Sequence, residues 1–213
     1  MKIGILGSGM VGKALATALG HNGHDVKLGT RNPDKDELKE YKASSGIDCL
    51  KFDEAARHGD IVFICTKWSG TENALQLAGA SNMAGKVVVD VTNPLDDSQG
   101  MPPVLAVGFS DSAGEQVQKW LSKARVVKAF NIITASIMVD GQVDGEPLDM
   151  FIAGDDEAAK KDVEQILTEF KWNTHDLGGI EKSRLLEPFA MLWITYGFKT
   201  NSWNHAFKLV KKE

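Results

Sequence analysis

Short apolar runs rich in Val, Ile and Leu recur at 2–6, 26–28, 61–65 and 86–91. Between them lie segments with the spacing of helices, at 10–19, 33–43 and 71–80. Strand and helix in regular alternation predict βαβ units, a parallel sheet and helices on both of its faces. A second set follows, with strands expected at 126–130, 149–153 and 172–175 and a helix at 157–170, and these should extend the same sheet. Pro102 and Pro103 interrupt the region after the fourth strand, and 140–147, with its Gly and Asp, reads as a loop. Neither break reads as a domain boundary. After Gly178-Gly179 the pattern turns to helix alone, from about residue 181 to the end, with Leu185, Leu186, Phe189, Leu192, Trp193 and Tyr196 at roughly helical spacing. The expected fold is therefore α/β, a Rossmann-type doubly wound and mostly parallel sheet over residues 1–180. Residues 181–213 form a short C-terminal helical segment, packed on the sheet or at a dimer interface.

The turn after the first strand carries the first candidate chemistry. Gly7-Ser8-Gly9-Met10-Val11-Gly12 sets Gly-x-Gly-x-x-Gly between an apolar strand and an Ala-rich helix. In that context Gly7 permits the tight turn, Gly9 lets the backbone approach a pyrophosphate, and Gly12 lets the helix pack closely on the sheet. An NAD-selective version of this arrangement places a carboxylate about 20 residues further on, at the end of the second strand. Here that place reads Leu28-Gly29-Thr30-Arg31-Asn32, with Lys35 shortly after, and no acid stands there. A hydroxyl, a guanidinium fork and an ammonium in its stead specify a 2′-phosphate, which points to NADP(H). Cations at a helix start oppose the helix dipole unless an anion is present, so ordinary solvated charge explains Arg31 and Lys35 less well.

Length and charge narrow the partners. At 213 residues the chain can bury one substantial core and a small appendage, but two full domains would be cramped. A net charge of -5 argues against nucleic acid or an anionic membrane surface, which leave a basic footprint. Cys49 and Cys65 each sit in an apolar strand-like run, so a disulfide is not expected. The first strand begins at once, leaving no room for a signal peptide, and the expected compartment is the cytoplasm. The apolar stretch 185–198, broken by Glu187 and Pro188, falls short of the ~20 residues a membrane span requires.

From Gly7 through Arg31 and Lys35, the chain resembles the coenzyme F420-dependent NADP oxidoreductase family. The likeness continues through Asn93-Pro94-Leu95, Val127-Lys128-Ala129-Phe130-Asn131, Ala153-Gly154-Asp155-Asp156 and Ser183-Arg184-Leu185-Leu186-Glu187. It is also similar to the cytosolic domain of the six-transmembrane metalloreductases, which pass electrons from NADPH to a flavin. Carried over by position, the resemblance implies that Ser8, Gly9, Met10 and Val11 surround the pyrophosphate and that Thr30, Arg31 and Lys35 hold the 2′-phosphate. It further implies that Trp68 flanks the cofactor, and that Asn93, Pro94 and the segment from Asn131 to Ala135 line the nicotinamide. Trp68 also reads simply as a packed loop aromatic.

A positioned acid or base is not evident. Neither Tyr41 nor Tyr196 is followed by a lysine at the Tyr-x-x-x-Lys spacing, and the five histidines are scattered without metal-ligand clustering. His175, near a strand end, reads as hydrogen-bonded structure, and Arg184 reads as a helical ion pair with Glu187. Lack of a proton donor suits a flavin or deazaflavin acceptor, whose ring takes hydride with the protein supplying position and exclusion of water. Two other classes remain open: a reductase of a small imine or carbonyl, and a non-catalytic NADP(H) sensor acting on a protein partner. The surplus of apolar side chains in 181–213 leads us to expect a homodimer.

Overall fold

The computed structural model describes residues 1–212, so Glu213 of the C-terminal segment lies outside the described residues. The first half runs β1 (Lys2–Leu6), α1 (Met10–His21), β2 (Asp25–Thr30), α2 (Asp36–Ser45), β3 (Asp48–Lys51), α3 (Phe52–His58), β4 (Ile61–Ile64), α4 (Trp68–Ala78) and β5 (Val87–Asp90). A small hairpin of β6 (Leu95–Asp96) and β7 (Val104–Leu105) follows, then α5 (Ala113–Trp120), β8 (Arg125–Lys128) and the short α6 (Ala135–Met138). The remainder is β9 (Gln142–Val143), β10 (Glu146–Pro147), β11 (Asp149–Gly154), α7 (Glu157–Glu169), β12 (Asn173–Asp176) and α8 (Ser183–Thr200).

Eight strands form one sheet in the order β12-β11-β8-β5-β4-β1-β2-β3. Its six strands from β3 to β8 are mutually parallel, while β11 pairs antiparallel with β8 and then parallel with β12. The expectation of a doubly wound, mostly parallel sheet is met. Strands β4 and β5 are buried along their whole length because helices cover both faces, which is why they read as continuous apolar runs rather than alternating ones. One face packs Leu15, Phe63, Phe130, Phe170 and Trp172, the other Leu6, Ala55, Leu75, Val88 and Val117. Helix α1 buries Gly12, Leu15, Ala16 and Leu19, the i, i+3, i+4, i+7 stripe of a helix lying on a sheet.

The boundaries expected from sequence change in several places, among them α5 and the β6–β7 hairpin, which arise where no element was expected. A helix, α3, occupies 52–58 where none was expected; it lies so close to β1 that a Cβ on Gly4 would come 2.3 Å from the Ala55 carbonyl oxygen. Helix α4 begins at Trp68 rather than at residue 71. The expected loop at 140–147 contains the two-stranded ladder β9 and β10, a short pairing that alternation cannot register. Finally, the C-terminal helix does not run to the end. It stops at Thr200, where Asn201 takes a left-handed conformation, φ 49°, and the chain returns as an irregular tail along α8 and β11. Asn is among the residues that tolerate this conformation, and helical spacing of aromatics alone did not reveal it.

Candidate functional site

The carboxyl ends of β1, β2, β4 and β5 meet where the strand order reverses around β1, the position at which open α/β sheets form a ligand crevice. Gly7 turns the chain out of β1 with φ +125°, and its N–H donates to the Gly29 carbonyl at 2.9 Å. A Cβ on Gly12 would lie 1.9 Å from the Gly7 carbonyl oxygen, so only glycine lets α1 start this close to the turn. A Cβ on Gly9 would meet nothing within 4 Å. Helix α1 has no side-chain cap and no acid in its first turn, leaving its N-terminal N–H groups and positive dipole end directed at that open space. Met10 is 84% exposed beside it.

Two adjoining clefts open over these strand ends. The larger, of about 740 Å³, is bounded by Gly7, Ser8 and Gly9 on one side and by Thr30, Arg31, Asn32 and Lys35 on the other. Arg31 and Lys35 are exposed, and neither forms an ion pair among the described residues. Lys35 occupies the N-cap of α2, with Asp36 and Glu37 following in the first turn. The smaller cleft, of about 280 Å³, is mostly apolar, with Val11, Trp68, Val91, Leu95, Met101 and Pro103 on its walls, Thr92 and Asn93 among them, and Asp97 as its one carboxylate. Cys65, Thr66, Lys67 and Ser69 border both clefts, so the two form one continuous groove. Burial, and after it the charge of Asp90, push the Cys65 thiol far above its ordinary range.

Most residues expected at the site are brought together, but not all in the expected way. Trp68 is half-buried on the wall of the smaller cleft and stacks on Trp120, ring centroids 5.6 Å apart, so it is both a lining residue and a packed aromatic. Asn93 lines the groove, whereas Asn131 stands behind it, 5% exposed. The two amides interlock: Asn93 Nδ2 donates to the Asn131 carbonyl at 2.7 Å, and Asn131 Nδ2 donates to Asn93 Oδ1 at 2.9 Å and to the Leu186 carbonyl at 3.0 Å. Pro94 is buried, its carbonyl accepting from the Ala106 N–H at 2.7 Å. Ala135 opens α6 and borders neither cleft. Lys67 was missed. It is the N-cap of α4, directly after β4, and the crevice rule for strand ends could have found it.

A buried charge cluster also escaped the sequence reading. Lys128 Nζ lies 2.7 Å from Asp90 Oδ2 and 2.9 Å from Glu187 Oε1, with all three side chains 0–1% exposed. Its third N–H bond goes to the Thr92 carbonyl at 2.8 Å. Glu187 accepts the N–H groups of Ala113 and Gly114 at 2.9 and 3.1 Å, capping α5 from α8. Burial alone would lower the Lys128 pKa, but the two carboxylates outweigh it and hold the ammonium above its usual value. Arg184 is therefore not the partner of Glu187. It forms a bidentate pair with Glu115, at 2.8 and 2.6 Å, which holds the Glu115 carboxyl below its ordinary range. Three residues apart on one helix was the right spacing for a pair, but Glu187 points inward to the lysine while Arg184 faces α5. His175 is structural as expected, its Nε2 2.6 Å from Asp149 Oδ1.

With this geometry in place, comparison with known proteins is specific. Residues 2–94 match the family described as NADP oxidoreductase coenzyme F420-dependent. Metalloreductase STEAP3 of Rattus norvegicus is 29% identical over 195 residues, covering 89% of this chain and 36% of the relative. Metalloreductase STEAP2 of Homo sapiens is 22% identical over 193 residues, covering 91% and 36%. The chain thus spans 36% of the length of these curated relatives. Among solved structures, a candidate F420-dependent NADP-reductase from Arthrobacter sp. FB24 is 36% identical, with a TM-score of 0.94 over 99% of this chain and 100% of that one. A reductive aminase from Aspergillus terreus, solved with NADPH and ethyl levulinate, is 19% identical with a TM-score of 0.67, covering 94% of this chain and 62% of that one, a likeness of fold alone. No helix among the described residues is long and apolar enough to cross a membrane.

Proposed function

The chain belongs to the coenzyme F420-dependent NADP oxidoreductase family, and from that premise we propose that it transfers hydride between NADPH and a flat flavin-like or deazaflavin acceptor. The observation that carries this reading is the two-part groove: a polar cleft with unpaired cations runs into a mostly apolar one that neither Tyr nor His lines and whose charged residues are Lys67 and Asp97. NADPH, when bound, supplies the hydride. The polar cleft suits its phosphates, because the open space over Gly9 faces the start of α1 and Arg31 and Lys35 stand across from it. In this reading Ser8, Gly9, Met10 and Val11 hold the pyrophosphate through backbone N–H groups, and Thr30, Arg31 and Lys35 hold the 2′-phosphate. Asn93 and Pro94, braced by Asn131, orient the nicotinamide end, and the segment 131–135 supports it from behind.

The apolar cleft then receives the acceptor ring. Trp68, Leu95, Met101 and Pro103 offer flat and flexible apolar surface, which orients a ring and excludes water without donating protons. Burial raises the pKa of its one thiol, Cys65, which opposes a role as a base. Residues 1–180 form the nucleotide-binding unit in this reading, and 181–212 close its acceptor end.

The test is NADPH oxidation, followed at its absorbance band, with riboflavin, FMN, FAD, the deazaflavin, ferric chelates and small cyclic imines as acceptors. Turnover with an isoalloxazine or deazaflavin is expected. Turnover with imines alone would transfer the protein to the other reductase class, and tight NADPH binding without any acceptor-dependent oxidation would make it a sensor.

A further inference from the structure

The three charges buried behind the apolar cleft do not sum to zero. The polar groups around Asp90 and Glu187 are donors: Thr92 N–H and Oγ1 at 2.9 and 2.7 Å on Asp90 Oδ1, two backbone N–H groups on Glu187, and the Lys128 ammonium at ion-pair distance from both, which is the sole polar neighbour of the otherwise unbonded Asp90 Oδ2. None of these neighbours is an acceptor that a carboxylic proton could serve. Two carboxylates and one ammonium leave a net negative charge in a place 0–1% exposed, offset in part by the positive end of α5. A neutral apolar filling would avoid that desolvation cost, so packing alone does not account for the excess. Position does. Asp90 and Lys128 end β5 and β8, Thr92 joins Asp90 to the cleft wall, and the charge of Asp90 is already felt at Cys65 on that wall.

We propose that Asp90, Lys128 and Glu187 form an electrostatic element of the nicotinamide subsite, whose net negative charge favours the oxidised, cationic ring over the reduced, neutral one. This rests on the NADP(H) reading above. Donation of a hydride moves two electrons and one proton together to the acceptor and converts a neutral nicotinamide into a cation. A fixed negative charge behind the subsite lowers the energy of that product and of the transition state leading to it, and it needs no reorganisation to do so. At an effective dielectric of about 20 a unit charge acts well beyond contact distance and can change such an equilibrium by up to roughly tenfold. The three residues thus act through the field and not by contact.

Calorimetric titration with NADPH and with NADP+ tests this in the wild type, in Asp90→Asn and in Glu187→Gln, each variant keeping shape while removing one negative charge. Each variant should lose roughly three- to tenfold in affinity for NADP+ relative to NADPH, with a thermal melt verifying the fold. An unchanged ratio, or equal weakening of both nucleotides, overturns the proposal and leaves the cluster a brace between α5, α8 and the sheet. Should one variant fail to fold, the other decides by the same change in ratio. A wild type that binds neither nucleotide removes the NADP(H) reading and the proposal together, whereas an unchanged ratio removes the proposal alone.

Discussion

The Ser8 hydroxyl donates to the Thr30 hydroxyl at 3.2 Å, tying the phosphate loop to the end of β2. Thr30 is 7% exposed and joins two walls of the polar cleft, and the exposed charge next to it belongs to Arg31 and Lys35. Selectivity for the 2′-phosphate should therefore rest on Arg31. A charged hydrogen-bonding contact contributes about 1.5–3 kcal/mol, or about one to two orders of magnitude in affinity. Arg31→Ala is expected to weaken NADPH by that factor and NADH hardly at all, read by fluorescence titration. Equal losses for both nucleotides would sink the assignment.

Gly9 and Gly12 make opposite predictions from the same loop. Gly9→Val places its side chain in open space, so the fold should melt as the wild type does while nucleotide binding is abolished. Gly12→Ala instead drives a Cβ against the Gly7 carbonyl, a backbone atom that cannot swing away. Overpacking of this kind costs about 1–3 kcal/mol, a fall of several degrees in Tm. Differential scanning fluorimetry with and without NADPH reads both. A Gly9→Val protein with a normal ligand-induced rise in Tm would move the anion site elsewhere.

The tail after α8 is latched at Asp149. Its Oδ2 accepts the Leu209 N–H at 2.5 Å, and its Oδ1 holds Asn173 Nδ2 and His175 Nε2 at 2.5 and 2.6 Å. Burial would raise this carboxyl, but the Leu209 N–H and the two side chains outweigh it and keep its pKa below the ordinary value. A lowered folded-state pKa gives stability that is present above the unfolded value of about 3.9 and is lost as pH falls through the folded value. The tail should thus be protected at neutral pH and released only in acid below the ordinary carboxylate range. Hydrogen exchange of 205–210 against pH reads this, and Asp149→Asn should show the released pattern already at pH 7. Protection that is indifferent to both would leave the aromatic contacts as the sole anchor.

A homodimer remains our expectation, on narrower grounds than the sequence offered. The tail covers part of the aromatic surplus within one subunit: Phe189 stacks on Phe207 at 4.1 Å, and Trp193 stacks on His205 at 4.6 Å and tilts against Trp203 at 5.4 Å. Leu185, Leu192 and Tyr196 stay 62, 57 and 54% exposed, at spacings of seven and four residues, and so form one stripe along α8. A two-fold contact would bury that stripe. Light scattering at micromolar concentration should give a dimer mass, reduced to that of a monomer in Leu192→Glu. A wild-type monomer with full activity would show that the stripe is simply solvated.

By itself the sequence determined the mostly parallel sheet and the glycine turn after β1, and it carries the expectation of a phosphate loop selective for NADP(H). These are local: a strand, a turn and a helix start lie within a dozen residues, and the glycines of 7–12 and the missing acid near Arg31 act on neighbours in the chain. What only the tertiary structure decided was pairing across long separations. Lys128, Asp90 and Glu187 come from β8, β5 and α8, and nothing in the spacing of Arg184 and Glu187 says which of them turns inward. Likewise Asp149 and Leu209 meet sixty residues apart. Periodicity reports which face of an element is apolar, but a buried charge is fixed by whichever partner the packing of other elements brings within hydrogen-bond reach, because in a low dielectric an ionised group without one is prohibitively costly.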